Sequence, residues 1–123
     1  MYILKVRLVA YREKSGDAPI PVPAMDYIVA ILKRMRFGEV TLVAQDGKLV
    51  QIEHTEKVRV RPWQGDDKFS TDWEDKREHN IRENLEREFA ELSFGRLSVV
   101  VQNGNIKQMS RLSMQRFMDG EGI

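Results

Sequence analysis

Apolar residues fall at helical spacing in two stretches of the chain, and at strand spacing just after each. Ile28, Ile31, Leu32 and Met35 stand at i, i+3, i+4 and i+7, the spacing of one buried helix face. Pro23 suits the first turn of that helix, where a missing N–H removes no hydrogen bond. Gly38 reads as the stop, a left-handed residue just past the last turn. A strand is predicted over Glu39–Gln45, then a two-residue turn at Asp46-Gly47, then a returning strand from Lys48 to about His54. The second stretch repeats this grammar. Ile81, Leu85, Phe89 and Leu92 keep the apolar stripe, Gly95 is the stop, and Asn103-Gly104 is a second turn whose residues tolerate positive φ. This helix is expected to begin near Asp72, with Thr71 and Glu74 as a capping box. Its first turns, Glu74 to Asn80, are almost wholly charged and should project into solvent. Glu78–Arg82 and Glu83–Arg87 add i,i+4 support of a few tenths of a kcal/mol each.

If both turns have two residues, Gln45 faces Lys48 and the pairing can be counted back. Val40, Leu42, Ala44 and Leu49 then share a face with Leu97, Val99, Val101 and Ile106, and that face should lie beneath the helices. The opposite face holds Thr41, Val43, Val50 and Ile52 in the first hairpin, against Ser98, Val100, Lys107 and Met109 in the second. The first hairpin is therefore apolar on both sides, and its outer side needs a cover. Val43, Val50 and Ile52 are predicted to form the interface of a twofold homodimer. The same register sets Gln51 and Gln108 among core-facing residues opposite Leu42 and Val99, where each amide must find a partner. Tyr2–Tyr11 is rich in β-formers and reads as an extra strand, or as a helix with Leu4, Leu8 and Tyr11 inward. Residues 12–22 and 61–70 read as loops.

The two stretches correspond residue by residue. Phe37–Val60 aligns without a gap on Phe94–Phe117, an offset of 94 − 37 = 57, and seven of the 24 aligned positions are identical. Self-similarity of this kind dictates architecture before it says anything of chemistry. The expectation is one α+β domain, residues 1–123, made of tandem αββ repeats at 22–61 and 70–118 and preceded by a strand-like segment at 1–14. Together they would form one antiparallel sheet of four or five strands with two helices packed on one face.

Composition narrows the function classes. At 123 residues, with 41% apolar and 32% charged residues, the chain suits a single soluble globular domain with its own core. Twenty basic and 19 acidic residues leave a net charge of +1, so no global field favours nucleic acid or an anionic membrane. The absence of cysteine removes disulfides, thiol redox chemistry and thiolate metal sites, and fits a reducing cytoplasm. No apolar run is long enough to span a membrane, and MYILKVRLVAYREK carries Lys5 and Arg7 inside its apolar residues, unlike a signal peptide. A cytoplasmic location is expected.

Ile31–Arg59 resembles the YezD family of small bacterial proteins. The resemblance rests on Arg36-Phe37-Gly38, Val40 to Val43, Gln45-Asp46-Gly47-Lys48, and Val50-Gln51-Ile52-Glu53 leading into Thr55-Glu56-Lys57 and Arg59. The second stretch keeps Phe94-Gly95, Gln102-Asn103-Gly104 and Gln108, but has Ser110 to Met114 in place of Glu53 to Lys57. The family is a domain of unknown function, encoded near sulfate and organosulfur assimilation, which implies an accessory role in sulfur supply. Its members are commonly about one repeat long. A lone αββ unit exposes much apolar surface, so such members are expected to pair, and this chain to fuse such a pair.

Candidate chemistry is sparse. Glu53, Thr55, Glu56, Lys57 and Arg59 could form a polar strand that holds a small anionic or zwitterionic ligand, or a partner's edge; the plainer reading is strand-end charge and a solvated turn. Gln51 and Gln108 could line a ligand pocket between the repeats, or serve as structural amides. His54 with Glu53 or Glu56 is the one acid–base set within reach, and neighbours on a strand point to opposite faces. His79 and Asp75 share a helix face that is charged all round, and no metal site with ligand spacing is visible. Lys57, Arg59 and Arg61 with Trp63 make a basic strand side, but adjacent acids make nucleic acid an unlikely partner on charge grounds. No catalytic residue, cofactor or metal is predicted. The leading expectation is a non-enzymatic accessory or protein-interaction module tied to sulfur assimilation. The alternative is a small-molecule sensor binding an anionic metabolite between the repeats, with an enzyme third.

Overall fold

The computed structural model describes residues 2–10, 19–59 and 73–115, with the side chains of 19–58 and 73–115. The element order is β1 (Tyr2–Ala10), α1 (Val22–Arg34), β2 (Phe37–Gln45), β3 (Lys48–Arg59), α2 (Asp75–Ala90), β4 (Gly95–Gln102) and β5 (Asn105–Ser113). The five strands make one sheet in the order β1-β3-β2-β4-β5, antiparallel at every seam. Both helices pack on the same side of it, an α+β arrangement. The N-terminal segment is a strand, paired along β3 from Tyr2↔Arg59 to Ala10↔Gln51. Among the described residues no helix is long and apolar enough to cross a membrane.

α1 forms where its apolar stripe predicts. Pro23 sits in the first turn, and Ile28, Ile31, Leu32 and the following Met35 are buried. The helix stops without glycine. Met35 turns extended at ψ 131°, and its N–H caps the carbonyls of Ile31 and Leu32. Gly38 is therefore not the expected left-handed cap. It lies inside β2 at φ 157°, and a Cβ there would sit 2.1 Å from the Thr55 carbonyl oxygen. Gly95, at φ 146°, would meet the Leu112 carbonyl at 2.0 Å in the same way. Crowding by the neighbouring strand, not helix capping, is what requires glycine at both.

α2 begins at Asp75 behind Glu74, with Asp75 and Glu78 placed to favour the positive end of the helix dipole. Thr71 and Asp72, read as its start, lie outside the described residues. The two helices run in opposite senses and are tied by charge. Lys33 meets Glu78 at 2.6 Å, while Arg82 meets Asp26 and Glu78, each at 2.9 Å. The Glu78–Arg82 pair forms as its spacing predicts. Arg87 turns instead to Asn84 and Glu88, and Glu83 to His79.

Both hairpins close with the two-residue turn that needs positive φ at each position: 55° and 73° at Asp46-Gly47, 53° and 75° at Asn103-Gly104. The tips dock reciprocally. The Gly47 N–H donates to the Ser93 carbonyl at 2.9 Å, and the Gly104 N–H to the Arg36 carbonyl at 3.0 Å. Between them lies the central seam, where β2 and β4 pair with Thr41 opposite Ser98, flanked by Val40↔Val99 and Leu42↔Leu97. Val40, Leu42, Ala44, Leu49, Leu97, Val99 and Val101 point under the helices and are buried against Ile28, Leu32, Leu85 and Phe89. Full burial of a side chain of this size contributes about 1.5–3 kcal/mol.

The expected register fails in both hairpins. The β2–β3 ladder slips between Val43 and Ala44, so that Ala44 pairs with Leu49 but Val43 with Gln51, leaving Val50 as the extra residue of a β-bulge. The β4–β5 ladder slips likewise between Val100 and Val101, with Lys107 the extra residue. A bulge shifts the alternation by one. Ile52 consequently pairs with Leu42 and is 1% exposed in the core, not on the outer face. Gln51 and Gln108 move the other way, out of the core-facing row and opposite Val43 and Val100.

Candidate functional site

The helices cover one face of the sheet, and the residues singled out from the sequence gather on the other. Three rows cross that open face, running through β3, β2, β4 and β5: Gln51–Val43–Arg96–Leu112, Glu53–Thr41–Ser98–Ser110, and Thr55–Glu39–Val100–Gln108. At the centre the Thr41 and Ser98 hydroxyls lie 3.3 Å apart, with Thr41 only 9% exposed. Around them Val43, Gln51, Glu53, Thr55 and Val100 are half-buried. β1 extends the face beyond β3, its register setting Leu8 opposite Glu53 and Val6 opposite Thr55.

Local bonds explain how the polar residues sit. The Gln51 Nε2 donates to Glu53 Oε2 at 2.7 Å, and the Gln108 Nε2 donates to the Ser110 hydroxyl at 2.9 Å. Each amide thus serves its own strand. Gln51 on β3 and Gln108 on β5 have β2 and β4 between them, so they do not meet in a shared pocket. Glu56 pairs with Gly38 and His54 with Val40, on the parity of the helix-covered face, whereas Glu53 is on the open one. His54 therefore shares a face with Glu56 and not with Glu53. Arg59 ends β3, and its side chain, with Arg61 and Trp63, lies outside the described residues.

The hollows among the described residues include a small recess and a larger groove. The smaller, about 160 Å³, is a recess at the start of β2 that includes Glu39, Thr55 and Lys57 beside Val100 and Gln102 of β4. It sets Thr55 and Lys57, two apart on β3, and Glu39 of β2 beside Val100 and Gln102 across the central seam, in a volume below that of drug-sized ligand sites. The larger is an open groove of about 640 Å³ between the helices, floored by Ile20 and Met25 and rimmed by His79, Arg82, Glu83 and Glu86. Of the residues weighed from sequence for chemistry, His79 alone lines it, and none of the proposed ligand- or partner-binding residues does. Ile20 falls in the stretch 12–22 read as a loop and Met25 outside the apolar stripe, because the meeting of the α1 entry with α2 is a tertiary event. The helix-side charges are held by one another: Lys33 first, and then Arg82, keep the Glu78 carboxyl below its usual range. Among the described residues no three of His, Asp and Glu cluster as metal ligands.

Residues 24–60, from α1 to the end of β3, match the model of an uncharacterized small-protein family, DUF2292. The matched stretch is 37 of 123 residues (60 − 24 + 1), under a third of the chain. It contains the first hairpin, with Val43, Gln51, Glu53, Thr55 and Lys57 of the open face. No curated protein and no solved structure matches the chain.

Proposed function

We propose that this chain is a non-enzymatic interaction module built as a fused pair of YezD-like αββ units, and that it docks through the open face of its sheet. The observation that carries this reading is the one-sided packing. Two helices bury one face, while Val43, Val50 and Val100 stay half-buried on the other, around a nearly covered Thr41. The fused pair is supported by features 57 residues apart: matching turns, bulges and crowded glycines, and the reciprocal tip contacts. The accessory role in bacterial sulfur assimilation, in the cytoplasm, comes from the resemblance of Ile31–Arg59.

The first occupant of that face is a second chain, in a twofold dimer centred on Val43 and Val50 without Ile52. Light scattering at high micromolar concentration tests it. The expected result is a dimer that Val43→Asp and Val50→Asp each convert to a monomer with unchanged circular dichroism. A wild-type monomer under the same conditions refutes self-association. A second reading, a sensor for a small anion, is favoured by the recess that joins Thr55 and Lys57 to β4. Its mark is a thermal shift with an inorganic sulfur oxyanion that Lys57→Ala abolishes.

A further inference from the structure

β5 closes the sheet at one edge, and among the described residues no strand pairs along its outer side. An unpaired edge presents a row of backbone donors and acceptors, and proteins usually blunt it. Here the blunting is confined to one end. The bulge and Lys107 sit near the turn, and the run Gln108–Ser113 continues in regular register with β4. The side chains of that run are exposed except for Met109, and it contains no proline and no acidic residue. Leu112 and Met114, at its far end, are 52% and 49% exposed, two of the three large apolar residues so exposed among the described residues.

Charge selects the occupant. From Gly95 to Ser113 the second hairpin carries Arg96, Lys107 and Arg111 and no carboxylate. Arg111 is partly engaged, with its Nε 3.3 Å from Glu88. A second β5 edge would bring only the same cations and no carboxylate: Lys107 beside Gln108 on the open-face side, and Arg111, opposite Leu97, on the helix side. An extended segment bearing carboxylates meets the same positions with attraction and can place an apolar side chain on Leu112. We propose that the outer edge of β5 captures an extended acidic segment of another protein as a sixth strand. This site is the backbone edge of β5; it shares Leu112 with the rim of the open face but uses neither Val43 nor Val50 at that face's centre.

The test uses the full chain and an end-capped peptide alternating Glu and Val, matched to the nine residues of β5. The control alternates Lys and Val. Fluorescence anisotropy should show binding of the Glu/Val peptide that weakens with added salt, and hydrogen exchange should slow along Gln108–Ser113. The double variant Lys107→Glu, Leu112→Asp should lose about tenfold in affinity with unchanged circular dichroism. Val43→Asp should bind as wild type does, which keeps this result distinct from the open-face reading. Equal binding of the Lys/Val peptide, protection on β2 instead of β5, or no binding at millimolar peptide each overturns the proposal. So does protection of β5 that grows with protein concentration in the absence of peptide.

Discussion

Gly38 and Gly95 mark two places where the neighbouring strand leaves no room for a side chain. Gly38 faces the Thr55 carbonyl at 2.1 Å from where its Cβ would be, with the Met35 sulfur at 2.9 Å on another side. Gly47 differs: its φ is 73°, but a Cβ added to it would have nothing within 4 Å. Gly38→Ala should therefore cost about 2–4 kcal/mol, from overpacking and backbone strain together. Gly47→Ala should cost about 1 kcal/mol, from the left-handed backbone alone. Urea denaturation of the two variants checks the contrast, and equal losses would show that crowding is not the cause. Both glycines were legible as special in the sequence, yet the reason was not, because the close approach comes from residues 17 positions away (55 − 38). Elsewhere single side chains secure the second hairpin. Arg77 stacks on Trp73 at 4.9 Å and donates to the Gly104 carbonyl and the Asn105 side-chain oxygen at 3.3 and 3.1 Å.

The helices and turns were the most legible elements, because a stripe at i, i+3, i+4 and a pair such as Asp46-Gly47 report local geometry directly. Register beyond each turn was not. The bulge at Val50 reverses inside and outside, which is why Ile52 moved to the core and Gln51 out of it. A signal was nonetheless present: in both returning strands the inward apolar residues are three apart, Leu49 to Ile52 and Ile106 to Met109, where a regular strand would space them by two. The helix pair yields a prediction of its own. Lys33 and Arg82 depress the Glu78 pKa, so its contribution is complete above the ordinary value of 4.5 and is lost as pH falls through the lower folded value. Glu78→Gln should lose about 0.5–1 kcal/mol at pH 7 and show a shallower decline in stability below pH 4.5 than wild type. Urea midpoints across that range test it, and parallel declines would remove Glu78 from the account.

At the scale of the molecule, one core and one seam join what the chain lays down in two portions. Leu97 pairs with Leu42 across the seam and is fully buried. Leu97→Ala should cost about 2–5 kcal/mol and lower a single calorimetric transition for the whole domain. Two separated transitions would mean that the portions unfold independently. The layered α+β plan was legible at this scale because both amphipathic helices and both hairpins announced one shared buried face. The candidate site was legible only in part. Thr55 and Lys57, two apart on β3, line a recess completed by β4, whereas the Gln51–Gln108 pocket dissolves once two strands stand between them. The central seam also has a kinetic consequence. Its partners are 51 to 65 residues apart in sequence (95 − 44 to 102 − 37), and each hairpin tip hydrogen-bonds to the chain just before the opposite hairpin. Neither hairpin can finish its own contacts early, so the slow step in refolding should be the long loop closure that first brings β2 beside β4.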